Sequence, residues 1–146
     1  MNKQFFFGFL LTLLLGGFIY ISFRSDTLIM FNWFNELKLN TLIIGLREYT
    51  IPFKNYLPQW VIFSLPDGLW IFSSTSIMLL LWNNKLNIKT IIWILLIPLY
   101  AFSIEILQLC QLYPGTFDII DIILYISGIV TPLYLYTNYL NFRKND

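Results

Sequence analysis
No histidine occurs in this chain, and Cys110 is its single cysteine. That removes a Cys–His nucleophile, the usual zinc ligand sets and any disulfide framework within one chain. Charged residues are scarce as well: they make up 12% of the chain, against about 25% in an ordinary soluble domain. The formal net charge of +1 provides no basic field for nucleic acid, so no nucleic-acid partner is expected. Proton chemistry here is left to carboxylates, tyrosines, lysines and water.

What the chain has in quantity is apolar surface. Of 146 residues 58% are hydrophobic and 19% aromatic, and the mean hydropathy is +0.69. The composition predicts an all-α protein embedded in a lipid bilayer as a single integral membrane domain covering residues 1–146. Four spans are expected, at about 5–23, 66–82, 90–110 and 118–140. The first follows Lys3 and is long for a signal-peptide core, with no small-residue cleavage site before Arg24, so a retained span is expected.

Between spans one and two, charged residues are scattered among aromatics. Met30, Phe31, Phe34 and Leu37 recur at helical spacing, with Ser25 placed to cap their helix. A second amphipathic piece is expected over Asn40–Tyr49. Both are too polar to span, so they are read as interfacial helices, with a lid over a site in the bundle as the alternative. Ser64-Leu65-Pro66-Asp67 has the form of a capping box at the start of span two. In span two Ser73, Ser74, Thr75 and Ser76 suggest a close helix contact, as do Gly16 and Gly17 in span one. Pro98 is expected to bend span three. Lys85 and Lys89 belong to a polar turn before span three.

Ser103–Gly128 is where the chain departs from a plain membrane span. Glu105, Gln108, Asp118 and Asp121 lie in or beside apolar helix, and a carboxylate at bilayer depth costs a few kcal/mol, so it needs a partner or a purpose. Glu105 and Gln108 share one helix face; Asp118, Asp121, Tyr125 and Gly128 form a stripe on the next helix. The order of four spans also puts Arg24 and Asp67 at the same end of the bundle. These seven residues, Arg24, Asp67, Glu105, Gln108, Asp118, Asp121 and Tyr125, are the candidate polar pocket. Capping of the fourth helix is an ordinary alternative for Asp118 and Asp121. Glu105 sits near a helix C-terminus, where the dipole disfavours an anion. It therefore calls for a proton, a hydrogen bond from Gln108 or Tyr113, or a cation such as Arg24 or Arg47. The D-x-x-D spacing alone does not make a divalent metal site, and no metal or cofactor is expected.

Over Ser103–Gly128 the chain resembles the VanZ-like family of bacterial membrane proteins. The family pattern is E-x-x-Q, a short turn, then R-x-x-D-x-x-D-x-x-x-N-x-x-G. Glu105, Gln108, Asp118, Asp121 and Gly128 match it, while Gly115 stands at the arginine position and Tyr125 at the asparagine position. The best-known member of that family lowers susceptibility to a glycopeptide antibiotic. The resemblance implies a multi-pass protein of the bacterial cytoplasmic (inner) membrane. Its function would be non-enzymatic, at the envelope or on lipid-linked envelope components, with the bilayer, a lipid-linked ligand or other membrane proteins as partners. The alternatives are a membrane enzyme acting on a lipid-linked substrate and a small structural subunit of a membrane complex. Counting basic residues on the two sides, five against four, favours cytoplasmic termini.

Overall fold
The computed structural model describes residues 3–82 and 87–144. Among them the chain is helical throughout, with no strand. Seven α-helices follow in order: α1 (Lys3–Phe23), α2 (Ile29–Glu36), α3 (Asn40–Thr50), α4 (Gln59–Phe63), α5 (Leu65–Leu81), α6 (Ile88–Leu109) and α7 (Ile119–Lys144). A 3-10 turn, Ile51–Tyr56, joins α3 to α4. The four expected spans coincide with α1, α5, α6 and α7, within two residues at each end except where α7 continues to Lys144. Lys85 lies outside the described residues, and Lys89 is in the first turn of α6.

Two windows, Phe6–Phe23 and Ile88–Leu109, are long and apolar enough to cross a membrane. Within each, 22% of residues are buried inside the fold, so most of their apolar surface faces away from protein. Burial this low is unlike that of a core helix, and by length and composition both helices could cross a membrane. The apolar stretches Leu65–Leu81 and Ile119–Leu135 are shorter. At 1.5 Å per residue α5 extends only about 25 Å, a turn less than the hydrocarbon thickness. Helices stand at all four expected positions, but among the described residues only α1 and α6 contain a window long and apolar enough to cross a membrane.

Helix α5 is the centre of the bundle, flanked by α1 and α7, while α6 packs against α5 and α7 over a smaller area. Small residues make the close approach possible, since nothing larger fits between the backbones. A Cβ on Gly128 would stand 2.7 Å from the Gly68 carbonyl oxygen and 3.0 Å from the Phe72 nitrogen; one on Gly68 would meet Leu124 at 2.8 Å. On the other side Gly16 lies under the Trp70 ring, and the Ser73 hydroxyl donates to the Phe9 carbonyl at 3.1 Å. Gly17 faces open space and takes no part. At the other end of the bundle Leu79 and Ile94 are buried together. Asn87 caps α6 there, accepting from the Thr90 N–H at 3.0 Å.

Several local expectations need correction. Leu28, not Ser25, occupies the N-cap of α2, and the Ser25 hydroxyl bonds Thr27 instead. Ser64 precedes α5 with helical dihedrals and makes no capping bond, because α4 runs into α5 almost without a break. Where α2 and α6 end, both do so in a Schellman motif. Lys38 and Gln111 adopt φ of 57° and 59°, and the following amides bond back to Phe34 and Leu107. A β-carbon in this conformation is strained by about 1 kcal/mol. Lys38→Gly and Gln111→Gly should each raise stability by up to about 1 kcal/mol, read as a higher melting temperature in detergent. Gly128→Ala should destabilise by about 1–3 kcal/mol, whereas Gly17→Ala should not. Equal melting temperatures for these two alanine variants would refute the close α5–α7 contact.

Candidate functional site
The polar end of the bundle is where α1 leaves, α5 enters, α6 leaves and α7 enters. All seven candidate residues line one cavity there, of about 440 Å³. Glu105 and Tyr125 are both 4% exposed, and Arg24, Asp67, Gln108, Asp118 and Asp121 are half-buried. Tyr113 is not part of the wall. The short helix α4 supplies Gln59, Trp60 and Phe63, and Ser64 follows it. Nothing in the sequence marks that contribution, because α4 is one turn of helix hidden in a mixed apolar segment. Neither α2 nor α3 lines the cavity, so of the first connection only its two ends take part.

Glu105 escapes the unfavourable end of its own helix by using the favourable end of the next one. The Asp118 N–H, an unpaired amide at the start of α7, donates to Glu105 Oε2 at 3.3 Å. The Tyr125 hydroxyl, two turns into α7, donates to Oε1 at 3.5 Å. Asp121 lines the same chamber as the Glu105 carboxyl. Neither Gln108 nor an arginine supplies these bonds. Gln108 donates to the Pro114 carbonyl at 3.4 Å and covers Gly115, whose φ is +132°. A side chain at Gly115 would collide with Gln108.

The two arginines have other tasks. Arg47 Nη1 donates to the carbonyls of Ile21 (2.7 Å) and Arg24 (2.9 Å), capping α1 from α3. Its guanidinium also lies 5.1 Å from the centre of the Phe31 ring, the buried residue of α2. Arg24 is held between Tyr20 and Phe63, 5.1 Å from each ring centre. It is the cation that acts electrostatically on Asp67, as Asp121 does with the opposite sign. Asp118 caps α7 by accepting from the Ile120 N–H at 2.9 Å. Asp121 has one buried carboxylate oxygen, Oδ1, with no hydrogen-bond partner in the fold.

Beside this cavity lies a second, of about 280 Å³, walled by Trp70, Ile71, Ile97, Tyr100 and Ala101. Asp67, Ile104 and Tyr125 belong to both walls. An acidic chamber therefore shares a wall with an apolar groove between α5 and α6. Among the described residues no group of three acidic or cysteine side chains is arranged to hold a metal ion. No family model, curated protein or solved structure matches the chain. Function must accordingly be argued from the cavity itself.

Two variants separate the cap from the charge at Asp118. Asp118→Ala should cost about 1 kcal/mol of stability and Asp118→Asn much less. The check is thermal unfolding in detergent; equal losses would mean that the charge, rather than the capping oxygen, holds α7.

Proposed function
We propose that this is a multi-pass protein of the bacterial cytoplasmic membrane, of VanZ-like type, which binds the polar head group of an envelope or lipid-linked amphiphile. In this reading α5 and α7 complete a four-span bundle with α1 and α6, and α2 and α3 lie at the interface. Small-residue contacts such as Gly68 on Gly128 suit helix packing in lipid, where apolar bulk alone does not drive association. The resemblance supports the type: Glu105, Gln108, Asp118 and Asp121 meet in one chamber, and Gly128 forms the contact behind it.

The observation that carries the reading is the shared wall of Asp67, Ile104 and Tyr125. A structural brace of buried acids needs no cavity and would pair them with arginine. Here Glu105 bonds to α7, the chamber stays open, and an apolar groove of about 280 Å³ adjoins it. Mass spectrometry of protein purified in mild detergent should find a copurifying amphiphile with the wild type. It should be lost from Glu105→Gln and Asp121→Asn, with expression and elution unchanged. Loss of the folded protein in both variants would instead make the acids a brace.

A second reading draws on Glu105 and Asp121, which line one chamber with Tyr125. Carboxyl groups beside a tyrosine are residue types suited to general acid–base work on a lipid-linked substrate. Chemical change of the copurified amphiphile on incubation with wild type, absent with Asp121→Asn, would select it over simple binding.

A further inference from the structure
The charge and hydrogen-bonding pattern of the chamber narrows the ligand further, and this step rests on the cavity being an amphiphile site. Four carboxyl groups, from Asp67, Glu105, Asp118 and Asp121, face one guanidinium, that of Arg24. Arg24 is also committed elsewhere, clamped between two rings. A phosphate or carboxylate head group entering this space would meet acids on α5, α6 and α7 with one cation to offset them.

Ser64 adds an observation independent of the acids. It lines the chamber and is 1% exposed, yet its hydroxyl has no hydrogen-bond partner in the fold. Asp121 Oδ1, in the same wall, is likewise buried and unpartnered. Buried polar atoms are mostly paired in folded proteins. Of the four unpartnered ones among the described residues, Ser22 and Thr75 lie elsewhere. Ser64 Oγ and Asp121 Oδ1 belong to residues of this one chamber, where a ligand's donors would satisfy both. Asp121 Oδ1 is an acceptor and requires a donor; a serine hydroxyl accepts readily as well. Phosphate oxygens bring no donors, and a quaternary ammonium has none.

We infer that the chamber binds a primary or secondary ammonium group carried on an apolar chain, the ammonium between Asp121 and Ser64 and the chain along Ile71, Ile97 and Ala101. The nitrogen supplies positive charge to a surplus of carboxylate and N–H donors to both orphan acceptors. The alkyl chain replaces solvent or lipid in the groove.

The test uses the full chain in mild detergent and four probes: dodecylamine, dodecyltrimethylammonium, dodecyl phosphate and butylamine. Binding is followed by the shift of thermal unfolding with probe concentration. Dodecylamine should bind at least about tenfold more tightly than each of the others, a difference of about 1.4 kcal/mol. Ser64→Ala and Asp121→Asn should each weaken it several-fold while the unliganded protein unfolds as before. Ile97→Trp, which fills the groove, should weaken dodecylamine and leave butylamine unchanged. Equal binding of dodecyl phosphate or dodecyltrimethylammonium overturns the ammonium assignment but keeps an amphiphile site. Equal binding of butylamine overturns the chain's place in the groove. If no probe binds and no amphiphile copurifies, both this inference and the functional reading fall.

Discussion

A single carboxylate ties the polar end of the bundle together. Glu105 is nearly fully buried at the C-terminal end of α6, where the helix dipole opposes it. It is tolerable only because α7 presents an unpaired amide and a tyrosine hydroxyl at that point. Helix α6 has otherwise the least contact with the bundle at this end, and its exposed side chains are apolar nearly all round. The Glu105 bonds tie the end of α6 to the start of α7, in the wall of the chamber and beside the groove. Without them Asp67, Asp118 and Asp121 would be three helix-start acids with nothing to enclose.

The remaining polar residues follow a division of labour that the helix ends dictate. Asp67, Asp118 and Asp121 sit in or beside the first turns of α5 and α7, where partial positive charge stabilises them. Arg47 serves the opposite end of a helix, satisfying the last carbonyls of α1 from a distant part of the chain. Arg24 is kept near Asp67 by two aromatic rings rather than by an ion pair. Each charge thereby has an ordinary structural reason to be present. Among the described residues Ser22, Ser64, Thr75 and one oxygen of Asp121 are buried without a hydrogen-bond partner, and of these Ser64 and Asp121 belong to the chamber wall.

Much of this was readable beforehand because it follows from hydropathy and order. Four apolar runs joined in sequence must put Arg24, Asp67, Glu105 and Asp118 at one end, whatever the detailed packing. The Asp118 cap was equally plain from its place before an apolar run. Packing partners were not. α1, α5, α6 and α7 are apolar on most faces, so periodicity does not say which face meets which helix, nor that α5 is the centre. The Ser64 box failed because a capping motif shows in sequence only if the preceding residues are not already helical, and α4 is. The donors to Glu105 escaped notice for a related reason: one is a backbone amide, which has no letter in the sequence. Gln108 and Tyr113 looked closer along the chain, yet Gln108 is taken up by the turn it precedes.

The glycine contact between α5 and α7 has a mechanical meaning. With backbone against backbone at Gly68 and Gly128, those two helices cannot slide or separate without large cost, and α1 is fastened to α5 by Gly16 and Ser73. Three of the four long helices then behave as one stiff block. Helix α6 is anchored to that block at its beginning, where Thr90 and Ile94 are buried, and is clasped again at Glu105, about 16 Å further along its axis. It is a lever with its pivot towards one end of the bundle and its catch at the other. With the other three long helices fastened together, any widening of the groove between α5 and α6 would come from α6 swinging away at Glu105.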